Sequence, residues 1–190
     1  MKKLLVLFTI ALVATDVARA AEEATPEAIA KRQLDAFREL DWNLAAFYTH
    51  PKALAQLKSL FLPVALAGAT AKDNPNAAEM MRVVFAGKSA DELASTEPSD
   101  FFKLVLGGIT GATPDFKRAM SGMEIEVLGH VNEGEFTAHV VYRLSRPIQT
   151  GTTSKIAVTT VEKDNGTWKA LLNADFENVV RAITARLQKP

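Results

Sequence analysis

The side chains best suited to chemistry lie in one predicted strand, residues 135–144. Strict alternation places Thr137, His139 and Arg143 on one face of this strand, with Glu135 beside them. A histidine can act as a general base near neutral pH, and an adjacent guanidinium can hold a carboxylate. If this face lines a pocket, His139 and Arg143 are candidate catalytic or ligand-binding residues. The same pattern also fits a hydrogen-bonded structural histidine on the surface.

The other two histidines do not add a metal site. His50 precedes Pro51 at a predicted helix boundary, where a capping role explains it. His130 lies near the end of a predicted strand and is expected to face solvent. Metal binding needs ligands that converge at short spacings, and these three histidines are dispersed. We therefore predict no metal and no cofactor.

Aromatic side chains are the remaining candidates for ligand contact. Tyr48 and Trp168 belong to a set of aromatic residues that could line a ligand pocket, together with Trp42, Phe47, Phe61, Phe101 and Phe102. Packing in an ordinary hydrophobic core explains the same residues without a ligand. The spacing therefore leaves both interpretations open.

These residues must be positioned by two kinds of element, because the hydrophobic period changes near residue 121. Upstream, over 25–120, apolar residues recur every three or four positions, which predicts helices. A first helix is expected over 25–47, and Pro63 and the pair Gly107-Gly108 are expected to kink or end later helices. Downstream, over 123–174, two-residue alternation predicts four antiparallel strands, and the apolar spacing over 175–188 predicts an amphipathic C-terminal helix. The predicted class is α+β, with N-terminal helices packed against a curved four-stranded sheet.

The pair Asn165-Gly166 fixes the register of the last hairpin. A two-residue type I′ turn there sets Glu162 opposite Lys169 and Val161 opposite Ala170. One face then carries Trp168 and its neighbours, while Ile156 and Val158 occupy the other, so both faces are largely apolar. A sheet with one solvated face would be more polar. Helices on both sides, or a second subunit, would cover it.

The N-terminus predicts export. Residues 1–20 combine Lys2 and Lys3, an apolar run from 4 to 14, and the small-residue pattern Ala18-Arg19-Ala20. Cleavage after Ala20 would leave one domain, 21–190, in the periplasm or, as the second choice, fully secreted. The run is too short to span a membrane, and no stable span is expected after cleavage.

Charge and cysteine content exclude other classes. The chain has 22 basic and 22 acidic residues, and loss of residues 1–20 leaves a net charge near −2. Without a basic excess, nucleic acid is not an expected partner. The absence of cysteine means that packing, not disulfides, stabilises the exported domain.

The order of elements resembles the nuclear-transport-factor-2-like superfamily of cone-shaped α+β domains, which includes ketosteroid-isomerase-like enzymes. The segments that carry the resemblance are a helix at 25–47 followed by EIEVLGHV (124–131), FTAHVVYRL (136–144) and SKIAVTTVEKDNGTWKALLN (154–173). The resemblance implies a curved sheet that wraps a helix around an apolar pocket. Enzymes of the superfamily place acids, often aspartate, inside the cone, and these strands carry no interior Asp. Catalytic residues therefore do not transfer to this chain.

Together these observations predict a non-catalytic periplasmic domain that binds a small apolar ligand or a partner protein. The domain could also form a homodimer through the outer face of the sheet. The alternatives are a small-molecule isomerase, cyclase or hydrolase that uses His139 and Arg143, and a cell-envelope stress or assembly factor.

Overall fold

The fold is α+β, as the change of period predicts. The computed structural model describes residues 25–70, 75–112, 117–118, 120, 122–148 and 151–172. The predicted signal peptide (1–20) and C-terminal helix (175–188) lie outside these residues. The described helices are α1 (Pro26–Glu39), α2 (Trp42–Tyr48), α3 (Pro51–Thr70), α4 (Pro75–Val83), α5 (Ala90–Ser95) and α6 (Pro98–Ala112). The described strands are β1 (Glu124–Glu133), β2 (Thr137–Ile148), β3 (Gly151–Asp164) and β4 (Thr167–Ala170).

The four strands form a curved, unclosed antiparallel sheet in the order β1-β2-β3-β4. The hairpin register is confirmed: Asn165 and Gly166 have φ values of 50° and 81°, and Glu162 lies opposite Lys169. β4 ends at Ala170, so the ladder stops before Leu172. The side chains of Leu171 and Leu172 therefore need not alternate between the two faces of the sheet, as those of β4 do.

The predicted helix at 25–47 is two helices. Thr25 caps α1 and Pro26 occupies its first turn, as expected. Leu40 then adopts the left-handed conformation, with φ of 58°, and ends α1. The Asp41 carboxylate accepts a hydrogen bond from the Leu44 N–H at 3.0 Å and begins α2. An apolar stripe at helical spacing continues across this break, which is why spacing alone does not reveal it.

Helix α3 continues through Pro63 to Thr70, because its buried side chains hold both halves against the other helices. It is the one described helix long and apolar enough to cross a membrane by length and composition. Its two lysines make contacts within the protein. Lys52 pairs with Glu162, and Lys58 Nζ donates to the carbonyl oxygens of Ala94 and Thr96 at 2.7 and 2.6 Å.

The expectation that Gly107-Gly108 ends a helix is wrong, since α6 runs to Ala112. Gly108 instead lies against the backbone that follows α4. A Cβ atom at Gly108 would lie 2.4 Å from the Val84 carbonyl oxygen and 2.5 Å from its Cα. The glycine is thus a packing residue, which permits two backbone segments to approach closely.

The capping box predicted at Ser89 is present at the start of α5. The Ser89 N–H and hydroxyl both donate to the Glu92 carboxylate at 2.8 Å. These two hydrogen bonds, the backbone one first, hold the pKa of Glu92 below its usual range.

Buried side chains form two clusters. The helical core joins α1–α6 around Leu57, Phe85, Phe101 and Phe102. The sheet core joins the first half of α1 and the end of α2 to the concave face of the sheet, and its members are Ile29, Ala30, Tyr48, Ala138, Val140, Val161, Trp168 and Ala170. Alternation along β2 is confirmed from Ala138 to Tyr142. Phe136 departs from it, because it precedes β2 and is 65 % exposed.

A β-bulge in β1 changes which residues face the helices. Val127 lies opposite Tyr142, but Gly129 lies opposite Val141, so Leu128 is the extra residue. The prediction that Ile125, Val127 and Val131 share a face is therefore wrong for Val131, which lies opposite His139 on the outer face. His130 moves to the concave face, where it pairs with Glu27 of α1 and stays exposed to solvent, as predicted.

Candidate functional site

A cavity of about 190 Å³ lies between α1 and the concave face of the sheet. The second half of α1 supplies one wall through Gln33, Leu34 and Phe37. The sheet supplies the opposite wall, where β2 and β3 alternate and direct every second side chain toward the helix. The remaining lining residues are Met120, Met123, Ile125, Tyr142, Leu144, Thr159, Leu171 and Leu172.

The cavity is apolar, and its few polar groups are uncharged. Gln33 and Thr159 are buried, and Gln33 Nε2 donates to Thr49 Oγ1 at 2.9 Å. Thr49 Oγ1 in turn donates to the Ala45 carbonyl oxygen at 2.7 Å. Among the described residues that line the cavity there is no carboxylate, imidazole or ammonium group. Such a lining can bind an apolar molecule and orient it with one or two hydrogen bonds.

A second cavity of about 290 Å³ adjoins the first, and Met123 and Leu144 line both. Its other side chains are polar or cationic and include Arg146, Thr153 and Lys155. Leu144 lies opposite Lys155, and Arg146 lies opposite Thr153, in the β2–β3 register. Side chains directly opposite each other share a face of the sheet. The concave face therefore changes from apolar to cationic along these two strands.

The structure brings Tyr48 and Trp168 together, but in the sheet core and not in the cavity lining. Tyr48 is 6 % exposed and Trp168 is 9 % exposed. Both pack against the first half of α1, while the cavity lies along its second half. Lys163 Nζ lies 5.0 Å from the centre of the Trp168 ring, a cation–π contact. These two aromatics therefore belong to the sheet core and not to the cavity lining.

The predicted residues Thr137, His139 and Arg143 lie together on the outer face of the sheet. His139 Nδ1 is 3.0 Å from Thr160 Oγ1, and its Nε2 is 2.9 Å from Glu133 Oε2. Arg143 pairs with Glu126 across the strands. The sheet separates all of these groups from the cavity, whose lining comes from the concave face.

The same outer face carries a solvent-exposed apolar surface. Val131, Ile156 and Val158 are 64, 53 and 48 % exposed. His139–Glu133 and Arg143–Glu126 border them. We call this set of three apolar residues the outer patch. Part of the second sheet face is therefore apolar, as the hairpin pattern predicts, and charged pairs occupy the rest.

Sequence reasoning missed several cavity residues. Gln33 lies three residues after Ala30, on the apolar side of α1. A single polar residue within an apolar stripe is the sequence signal that could have identified it as a cavity residue. Met120, Met123, Leu171 and Leu172 lie outside the regular elements, where periodicity gives no orientation. In the described part of the chain, no three His, Asp or Glu side chains cluster as metal ligands would.

Part of the chain is similar to a protein of known structure. No protein-family model matches the chain, and neither does any curated protein sequence. The crystal structure of an NTF-2 like protein of unknown function from Shewanella oneidensis MR-1 is 19 % identical, with a TM-score of 0.29. The match covers 36 % of this chain and 56 % of that one. Over those residues the chain is similar to a nuclear-transport-factor-2-like protein, the family that its order of helices and strands resembles.

Proposed function

We propose that this chain is an exported, non-catalytic domain that binds a small apolar ligand between α1 and the concave face of the sheet. The observation that carries the proposal is the cavity itself. Its walls are apolar, its polar groups are an amide and hydroxyls that include the Tyr142 phenol, and its described lining has no carboxylate, imidazole or ammonium group. The side chains that most often act as general acids and bases, histidine and the carboxylates, are thus not among the described lining residues.

The size of the cavity indicates the class of ligand. An engineered apolar cavity of about 150 Å³ binds benzene, so about 190 Å³ accommodates a ring or a short alkyl chain. The adjoining cavity beside Met123 and Leu144 gives a longer ligand room to extend. A molecule of roughly eight carbon atoms is a suitable probe.

Octan-1-ol is expected to shift the NMR signals of two methionine methyl groups and not those of two others. Met120 and Met123 line the cavity, whereas Met80 and Met81 belong to the helical core. Methionine methyl labelling and titration of the purified protein with octan-1-ol would therefore report the site directly. Saturable shifts at Met120 and Met123 alone are the expected result.

A space-filling variant provides the control. Leu34→Trp places a larger side chain in the cavity and should abolish the saturable shifts. Leu44→Trp, on α2 at a position 39 % exposed, should leave them unchanged. Equal shifts at all four described methionines, or no saturation up to the solubility of octan-1-ol, would contradict binding in the cavity.

The outer patch favours a second binding role, and we propose a homodimer through it. Exposed apolar residues grouped on one sheet face and bordered by polar groups often mark an interaction site. The bordering pairs Arg143–Glu126 and His139–Glu133 place both signs of charge around the patch, and a second copy related by a twofold axis can match such a border.

Light scattering coupled to size-exclusion chromatography tests this dimer. At tens of micromolar the native chain is expected to elute as a dimer, and Ile156→Glu as a monomer. A glutamate there faces Arg143 across the strands, so the sheet itself should persist. Leu44→Glu, at an exposed position of helix α2, is the matched control and should remain dimeric. A monomeric native chain would remove this proposal.

The alternative functions would both use the outer face of the sheet, where His139, Arg143 and the outer patch lie. An isomerase, cyclase or hydrolase built on His139 and Arg143 would need a substrate site on the outer face, since the cavity lies behind the sheet. A role in envelope stress or assembly would instead use the outer patch to bind another envelope protein, and co-purification from the periplasm would reveal it.

Export is part of the proposal and has its own test. We expect the protein recovered from the periplasm to begin at Ala21, because small residues at positions 18 and 20 suit signal peptidase. Intact mass measurement gives the cleavage site. Ala20→Lys should leave the precursor uncut, and an unprocessed native chain in the cytoplasm would contradict export.

A further inference from the structure

We propose that the ligand is an apolar alcohol, whose hydroxyl group donates to Gln33 and accepts from Thr159 inside the cavity. This inference rests on the proposed function and adds the chemical class of the ligand. Gln33 lines the cavity from α1, and Thr159 lines it from β3. The two residues are 4 and 3 % exposed, so both polar side chains are buried in a largely apolar lining.

The hydrogen bonds of Thr49 fix the orientation of the Gln33 amide. The Thr49 hydroxyl donates its single proton to the Ala45 carbonyl oxygen at 2.7 Å. Thr49 Oγ1 can therefore only accept from Gln33, whose Nε2 lies 2.9 Å away. The amide nitrogen of Gln33 thus faces Thr49, and its carbonyl oxygen, Oε1, is left as an acceptor for another group.

Gln33 Oε1 and Thr159 Oγ1 are open to the cavity. In the part of the chain that the structure describes, no group hydrogen-bonds to either oxygen. Both oxygens also remain accessible, unlike a side-chain atom that is sealed in the interior without a hydrogen bond. Since both residues are buried and line the cavity, this accessible surface faces the cavity. A buried polar atom without a partner costs free energy, and a ligand that supplies the partner removes that cost.

A hydroxyl group is the ligand group that satisfies both oxygens. Gln33 Oε1 can only accept a hydrogen bond, whereas the Thr159 hydroxyl can donate one. An alcohol oxygen both donates and accepts, but a ketone oxygen only accepts and would leave Gln33 Oε1 unpaired. Tyr142 lines the same cavity, but it already has an interaction partner. A carboxylate or ammonium group on the ligand is disfavoured, because the described lining has no group of opposite charge.

Octan-2-ol and octan-2-one test this preference, because they share a carbon skeleton and only the alcohol can donate a hydrogen bond. The methyl signals of Met120 and Met123 are the readout, since both residues line the cavity. Octan-2-ol should bind the native protein about three- to tenfold more tightly than octan-2-one. Equal binding of the two ligands would overturn this inference while the cavity still binds. Failure of both ligands to give saturable shifts would instead overturn the proposed function.

Two variants assign the preference to individual atoms. Gln33→Leu removes the acceptor and should make the two affinities equal. Thr159→Val keeps the shape of the side chain, removes the donor and should weaken both ligands about three- to tenfold. Thr160→Val is the matched control and should bind both ligands as the native protein does, since Thr160 contacts His139 on the outer face. An alcohol preference that survives Gln33→Leu, or unchanged affinities in Thr159→Val, would contradict the assigned hydrogen bonds.

Discussion

Replacing Gly108 with alanine is expected to destabilise the protein by about 3 kcal/mol, at the upper end of the usual cost of overpacking. The added methyl group would lie 2.4–2.7 Å from three backbone atoms of Val84. A flexible side chain could rotate away, but a backbone cannot, so α6 and the segment after α4 must separate. The contacts that α6 makes in the helical core would weaken with that movement.

Chemical denaturation of the Gly108→Ala variant measures the loss. Gly111→Ala is the matched control, because it lies one turn further along α6 and its added methyl group meets nothing within 4 Å. That variant should gain up to about 1 kcal/mol from helix propensity. If both variants gain stability, the close approach at Val84 does not exist in solution.

Phe102→Ala is expected to cost about 3–5 kcal/mol, the usual range for loss of a buried aromatic side chain. Phe102 is fully buried, and its ring packs edge-on against Phe37 with 6.0 Å between centroids. Phe37 also lines the cavity between α1 and the sheet. The truncation therefore leaves a void directly behind one cavity wall, and Phe37 can rotate into it.

Two measurements distinguish these effects. Denaturation gives the loss of stability, and the methyl signals of Met120 and Met123 report whether the cavity changes. Phe136→Ala, at a position 65 % exposed, is the control and should cost less than about 1 kcal/mol. A small loss for Phe102→Ala would mean that this ring is not part of a close-packed core.

Much of the sheet is predictable, because its determinants are local. The turn at Asn165-Gly166 needs positive φ at adjacent residues, and once that turn forms, the pairing of Glu162 with Lys169 follows. Alternation along β2 then separates Tyr142 from Arg143. The capping box at Ser89 and the cap at Thr25 are also local, since each involves residues only three positions apart.

The parts that could not be predicted depend on tertiary contacts. The bulge at Leu128 exchanges the faces of His130 and Val131, and Gly129 within the strand pattern is a weak signal for it. From the sequence, Gly108 has the signature of a helix end. Its packing role is apparent only from its position against the Val84 backbone. The cavity is harder still, because Gln33 and Leu172 meet only when α1 and the end of β4 are both in position. Placing His139 in a pocket required knowing which face the helices cover.

The two hydrophobic clusters are not independent folding units. Helix α1 gives Ala30 to one cluster and Ala36 to the other, and both are fully buried. Helix α2 divides its side chains in the same way, with Ala45 in the first cluster and Tyr48 in the second. If one cluster unfolded, α1 and α2 would lose the contacts that hold them in place, and the packing of the other cluster would weaken as well. Helices and sheet should lose structure in one cooperative transition, so even a destabilising substitution far from the sheet lowers the population in which the cavity is formed.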